Sequence, residues 1–167
     1  MKFDPTYDYG KLDLNIAENL VCYNFRELII NLITLSSPAK RQLEIIGIGA
    51  VCNEMAVDFD EYFTSVYQLY IDNNFLTQDQ LEKFIELDNY FDERSGKKQS
   101  EFWDDFLLET NPEWQIVRQK AMTILEMLGM QNLTIEFDRT EEYKMINGVK
   151  QITAQTTKTK LIRKNGV

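Results

Sequence analysis

Apolar residues follow a helical period up to about residue 130 and a period of two beyond it. From about Asn15 to Leu35 they occupy most faces of a helical wheel, with Ile16, Leu20, Val21, Phe25, Leu28, Ile29, Leu32 and Ile33 in a single run. Apolarity on all sides marks a central, buried helix. Ser36-Ser37-Pro38 interrupts it, with Ser37 placed to cap a second helix and Pro38 to fill its first position, where a missing N–H costs nothing. The second pattern continues through Leu43, Ile46, Val51, Met55, Phe59, Tyr62, Phe63, Val66 and Tyr70, as one long helix or as two broken near Asp58. Thr77 and Gln80 have the spacing of a capping box and open a third helix that carries Leu81, Phe84, Ile85 and Phe91. After a loop at 94–99, a short helix is expected from Ser100 to Glu109. Asn111-Pro112 then starts the last helix, whose Trp114, Val117, Ala121, Ile124 and Leu128 lead to Gly129 at the C′ position.

Leu133, Ile135 and Phe137 alternate with Thr134, Glu136 and Asp138, the pattern of a half-buried strand. Asn147-Gly148 lies between two further alternating stretches and is the two-residue signature of a type I′ hairpin. The threonine-rich residues up to about Ile162 extend that hairpin or add a strand. The expectation is one α+β domain over 1–167: about five helices in residues 1–130, packed on a C-terminal antiparallel sheet of three or four strands in residues 131–167.

Composition agrees with a folded domain. At 167 residues and 44% hydrophobic, the chain has enough apolar surface for one core without a metal or disulfide. Cys22 and Cys52 fall inside helical patterns and read as small buried hydrophobes. The N-terminus lacks the basic and apolar regions of a signal peptide, and no apolar run approaches the roughly 18 residues of a membrane span, so a cytoplasmic protein is expected.

Charge adds an asymmetry that the hydrophobic pattern does not show. All 27 acidic residues lie at or before Glu142, whereas Lys144, Lys150, Lys158, Lys160, Arg163 and Lys164 follow it. The body thus carries 12 basic residues against 27 acidic ones, a net of −15, and the tail carries +6. Such a body disfavours nucleic acid and anionic membrane and suits a basic protein partner; only the tail offers phosphate contacts. In an extended tail Lys158, Lys160 and Lys164 share one face, opposite Thr157, Thr159, Leu161 and Arg163. They serve as a lysine-guarded sheet edge, as a strip docked on the acidic helices, or as a contact for an anionic partner.

The chain has no histidine, which removes imidazole-dependent triads and most zinc and di-iron sites. Gly47-Ile48-Gly49 lacks the third glycine of a dinucleotide loop and is read as a close helix contact. Carboxylates are the chemistry that remains. Glu54, Asp58 and Glu61 are spaced i, i+4, i+7, and Glu101 with Asp104 forms an i, i+3 pair beside Trp103. If the two sets face each other they hold Mg²⁺, an arrangement that resembles the acidic pairs of all-α nucleotide pyrophosphohydrolases and implies nucleotide hydrolysis. The competing assignment is to solvated helix faces.

The leading expectation is a noncatalytic domain that binds a basic protein, with Asp58, Glu61, Asp104 and Asp105 supplying charge, Trp103 an aromatic anchor, and Lys158 and Lys160 a second contact. In its acidic, compact and motif-free character the chain resembles the immunity proteins with which bacteria neutralise toxins. That resemblance implies an inhibitor without cofactor. A self-associating subunit that uses a strand of the tail is the remaining class.

Overall fold

The computed structural model describes residues 2–96 and 101–164, in which six α-helices precede a two-stranded antiparallel sheet. The helices are α1 (Ala17–Ser36), α2 (Ala39–Ile46), α3 (Val51–Phe59), α4 (Tyr67–Asp72), α5 (Gln78–Glu93) and α6 (Pro112–Met127), and the strands are β1 (Leu133–Ile146) and β2 (Val149–Arg163). No helix among the described residues is long and apolar enough to cross a membrane.

Helix α1 is the central element, as its pattern predicts. Leu28, Ile29, Leu32 and Leu35 are fully buried, and the helix packs chiefly against α6 and α3. Its one buried amide, Asn31, donates to the Met55 carbonyl at 3.0 Å and so ties α1 to α3. A second centre is aromatic: Trp114 of α6 stacks on Phe102 at 4.6 Å and donates its indole N–H to the Phe102 carbonyl at 2.6 Å. Both rings are buried, which fixes the turns after α5 against α6.

Several boundaries differ from the sequence expectation. The first helical bond of α2 is accepted by Pro38, so Pro38 rather than Ser37 is the cap residue; the Ser37 hydroxyl turns back to the Ile33 carbonyl at 2.6 Å. The long second helix is broken first at Gly47 and Gly49, both with positive φ, and again just past Asp58, where α3 ends at Phe59. Here the glycines form a loop instead of a helix contact. A Cβ at Gly47 would lie 2.4 Å from the Gln155 side chain and 2.9 Å from the Arg139 guanidinium, so this position lets the sheet approach. After α3 one turn widens into a π-segment, Asp60–Thr64, where Ser65 N–H reaches the Asp60 carbonyl. The capping box at Thr77–Gln80 and the Asn111-Pro112 start are present as expected. Within 100–109, of which Ser100 lies outside the described residues, Asp105–Leu107 is a 3₁₀ turn and no α-helix forms.

The expected three or four strands are replaced by two long ones. Ile146 pairs with Val149, and between them Asn147 and Gly148 have φ of 53° and 80°. From there the two strands pair to Leu133 and Arg163, interrupted by a bulge at Glu142/Tyr143 that leaves Thr153 opposite no residue of its own. Only the base of this ribbon is covered: Leu133, Ile135 and Leu161 are buried, whereas Tyr143, Met145, Ile146, Val149 and Ile152 are exposed. Arg139 donates to the Glu44 and Ile45 carbonyls at 2.8 and 2.6 Å, and Gln155 to that of Ile46 at 2.9 Å. The ribbon therefore closes the C-terminus of α2, and beyond this clamp it projects from the body.

Candidate functional site: an acid-lined aromatic cleft

Helix α5 begins at its capping box and buries Leu81, Phe84, Leu87 and Phe91, a stripe that turns Asp88 and Asp92 towards α3. On the facing side the π-segment seats Phe63 in the core, stacked on Phe84 at 4.9 Å, and leaves Asp60 at the rim. Between them is a cleft of about 460 Å³, lined by Val57, Phe59, Asp60, Asp88, Asp92 and Trp103 among others. Three carboxylates thus line an opening with apolar and aromatic walls. Asp88 is held by the Thr64 hydroxyl at 2.7 Å. Trp103 is part-buried, with its ring N–H directed inward to the Arg94 carbonyl at 2.7 Å. It therefore offers ring surface to the cleft and no free donor.

The sequence candidates are dispersed around this feature. Asp105 is spent inside the protein, where its two oxygens accept the Val51 and Cys52 amides, each at 2.9 Å. Asp104 accepts the Phe106 amide two residues on, also at 2.9 Å. The exposed ring of this turn is Phe106, at 95%, rather than Trp103. Lys158 and Lys160 stand opposite Asp138 and Glu136 on β1, and Lys160 pairs with Glu136 at 3.3 Å. Of the other lysines on this face, Lys164 donates to the Gln131 carbonyl at 3.2 Å. The Lys160–Glu136 pair is exposed on both sides, so it contributes little to stability.

Asp58 lies part-buried near Glu61 and Glu54, and burial first, then those two charges, pushes its carboxyl up to about 6. Glu27 of α1 is raised as well, by burial against the opposing pull of Arg26, with Asp58, Asp8 and Glu61 adding repulsion. An acid whose folded pKa is raised binds protons more readily folded than unfolded, so stability falls as pH rises between about 4 and 6. Asp58→Asn is expected to stabilise the protein at pH 7 and to change nothing at pH 3.5; denaturant titrations at both pH values test this, and equal effects would contradict it.

Among the described residues no group of three or more His, Cys, Asp or Glu is placed to hold a metal ion; of the magnesium candidates Glu54, Asp58, Glu61, Glu101 and Asp104, the first three lie near one another, with Glu54 and Glu61 raising the Asp58 carboxyl. The cleft acids Asp60, Asp88 and Asp92 were missed from sequence. The one available signal is the i, i+4 spacing of Asp88 and Asp92, which is lost among 27 acidic residues. Compared with known proteins, the chain matches no family model, no curated protein and no solved structure at a significant level.

Proposed function

We propose that this protein is a noncatalytic binding domain for another protein, and that the cleft between α3, α5 and Trp103 receives a lysine or arginine side chain of that partner. The observation that carries this reading is the convergence of Asp60, Asp88 and Asp92 on a space walled by Val57, Phe59 and Trp103. A long cationic side chain fits both features, since its stem covers apolar surface while its head meets carboxylates. The aromatic wall adds attraction for the cation. A net charge of −9 would speed encounter with a basic surface. An inhibitor of a basic protein, resembling immunity proteins in character, is the most specific form of this reading.

The test is parallel affinity capture from lysate of the source organism with the wild type, the double variant Asp88→Asn/Asp92→Asn, and the ribbon-tip variant Met145→Ser. A basic protein held stoichiometrically by the wild type and Met145→Ser, but bound at least tenfold more weakly by the cleft variant, is the expected result. Loss confined to Met145→Ser would replace the cleft by the exposed ribbon as the contact. Capture of the chain's own copies alone would favour the self-associating subunit and overturn the reading.

A further inference from the structure

A second groove lies where α2 begins, on a face that the proposed function does not use. It has a volume of about 460 Å³ and is lined by Pro38, Ala39, Lys40, Glu109, Gln115 and Arg118 among others. The start of α2 has no side-chain cap and no acidic residue in its first turn. Both nearby serine hydroxyls donate backwards to the Ile33 carbonyl, at 2.9 and 2.6 Å, and so leave it uncapped. Lys40 places a cation in that first turn, the end at which a helix dipole favours an anion.

The wall of the same groove contains an uncompensated charge. Arg118 is only 7% exposed and forms no ion pair with any described residue. Its Nη1 donates to Gln115 at 3.3 Å, and its Nη2 to the Gln42 side chain at 3.0 Å and the Leu108 carbonyl at 2.8 Å; Nε has no partner. All three acceptors are neutral. A buried guanidinium without a counter-charge is costly, and burial lowers the affinity of Arg118 for its proton despite the opposing pull of Glu109. Glu109 is exposed and forms no ion pair with it.

We propose that this groove binds an oxyanion, the phosphate or carboxylate group of a small ligand, held by the first amides of α2, Lys40 and Arg118. The free helix amides supply donors, and the two cations supply charge. Glu109 at the rim opposes the ligand and sets its affinity low.

The test uses inorganic phosphate and acetate separately, each against chloride at matched ionic strength. Thermal unfolding and the Arg118 Nε–H resonance are followed together. A saturable rise in Tm with a resonance shift at the same midpoint is expected for at least one anion. Saturation by phosphate alone identifies a phosphorylated ligand, and saturation by acetate alone a carboxylate. Lys40→Ala, at an exposed position, should weaken binding about threefold, and Glu109→Gln should tighten it by a similar factor. A rise in Tm that does not saturate and is equal in the wild type and both variants is general salt exclusion and overturns the proposal. A resonance indifferent to both anions overturns it as well.

Discussion

Replacing Asp105 with alanine is expected to destabilise the protein by about 3 kcal/mol, because two charge-assisted hydrogen bonds are lost at a buried helix start. Helix α3 has no cap of its own: Ala50 precedes it and offers no side-chain acceptor. Its first amides, on Val51 and Cys52, are satisfied from 54 and 53 residues away by the two oxygens of Asp105. Both residues are buried, so water cannot replace the carboxylate without opening the core. The carboxylate also sits at the positive end of the α3 dipole, which favours its charge. Asp105→Asn retains one good acceptor and should lose about half as much. Asp105 also helps hold the Cys52 thiol neutral, since that thiol is pushed up by burial first and by the carboxylate second. In a Cys22→Ser background, Asp105→Ala should therefore make Cys52 react faster with a thiol reagent, a readout specific to the start of α3. A denaturation midpoint and labelling rate equal to the parent would contradict this role.

Asp105 also illustrates what was legible in the sequence. Its position beside Trp103 in an acidic stretch marks it as a surface charge, and no local pattern assigns it to a helix more than 50 residues earlier. Local signals were read well where both partners are neighbours: the Thr77–Gln80 capping box, the Asn111 cap and Gly129 after α6 are all in place. The all-round apolar run of α1 was enough to make it the central helix, because burial of a whole cylinder needs no knowledge of its partners. The failures involve residues whose role depends on distant contacts. Gly47 looked helical because its neighbours are apolar, yet Gln155 and Arg139 of the ribbon occupy the space a side chain would need. The strand count failed because alternation after residue 138 is interrupted by threonines and charges. The half-buried positions there, Arg139, Glu141, Gln155, Thr157 and Thr159, are all polar, and from Glu142 to Ala154 the ribbon is exposed on both faces, where burial imposes no pattern. The cleft was invisible for a related reason, since Asp60 comes from a π-segment whose register a regular helical wheel does not reproduce.

The base of that ribbon yields the second large effect. Arg139→Met is expected to cost about 2 kcal/mol and to loosen the ribbon more than the helices. The Arg139 guanidinium satisfies the last carbonyls of α2 at Glu44 and Ile45, bonds Thr157 across the strand pair at 3.1 Å, and lies 4.7 Å from the centre of the Phe137 ring. It is thus a cation at a helix C-terminus, supplied from the sheet, where the dipole favours positive charge. Methionine keeps the apolar stem over Phe137 and removes only the charged donors, which separates capping from packing. Gln155 still holds Ile46 from the opposite strand, so detachment should be partial. Amide exchange should accelerate in β1 and β2 and in the last turn of α2, with α1 and α6 protected as before. Uniform acceleration throughout the chain would mean that the ribbon base and the helical core open as one cooperative unit, and that Arg139 has no special hold on the ribbon.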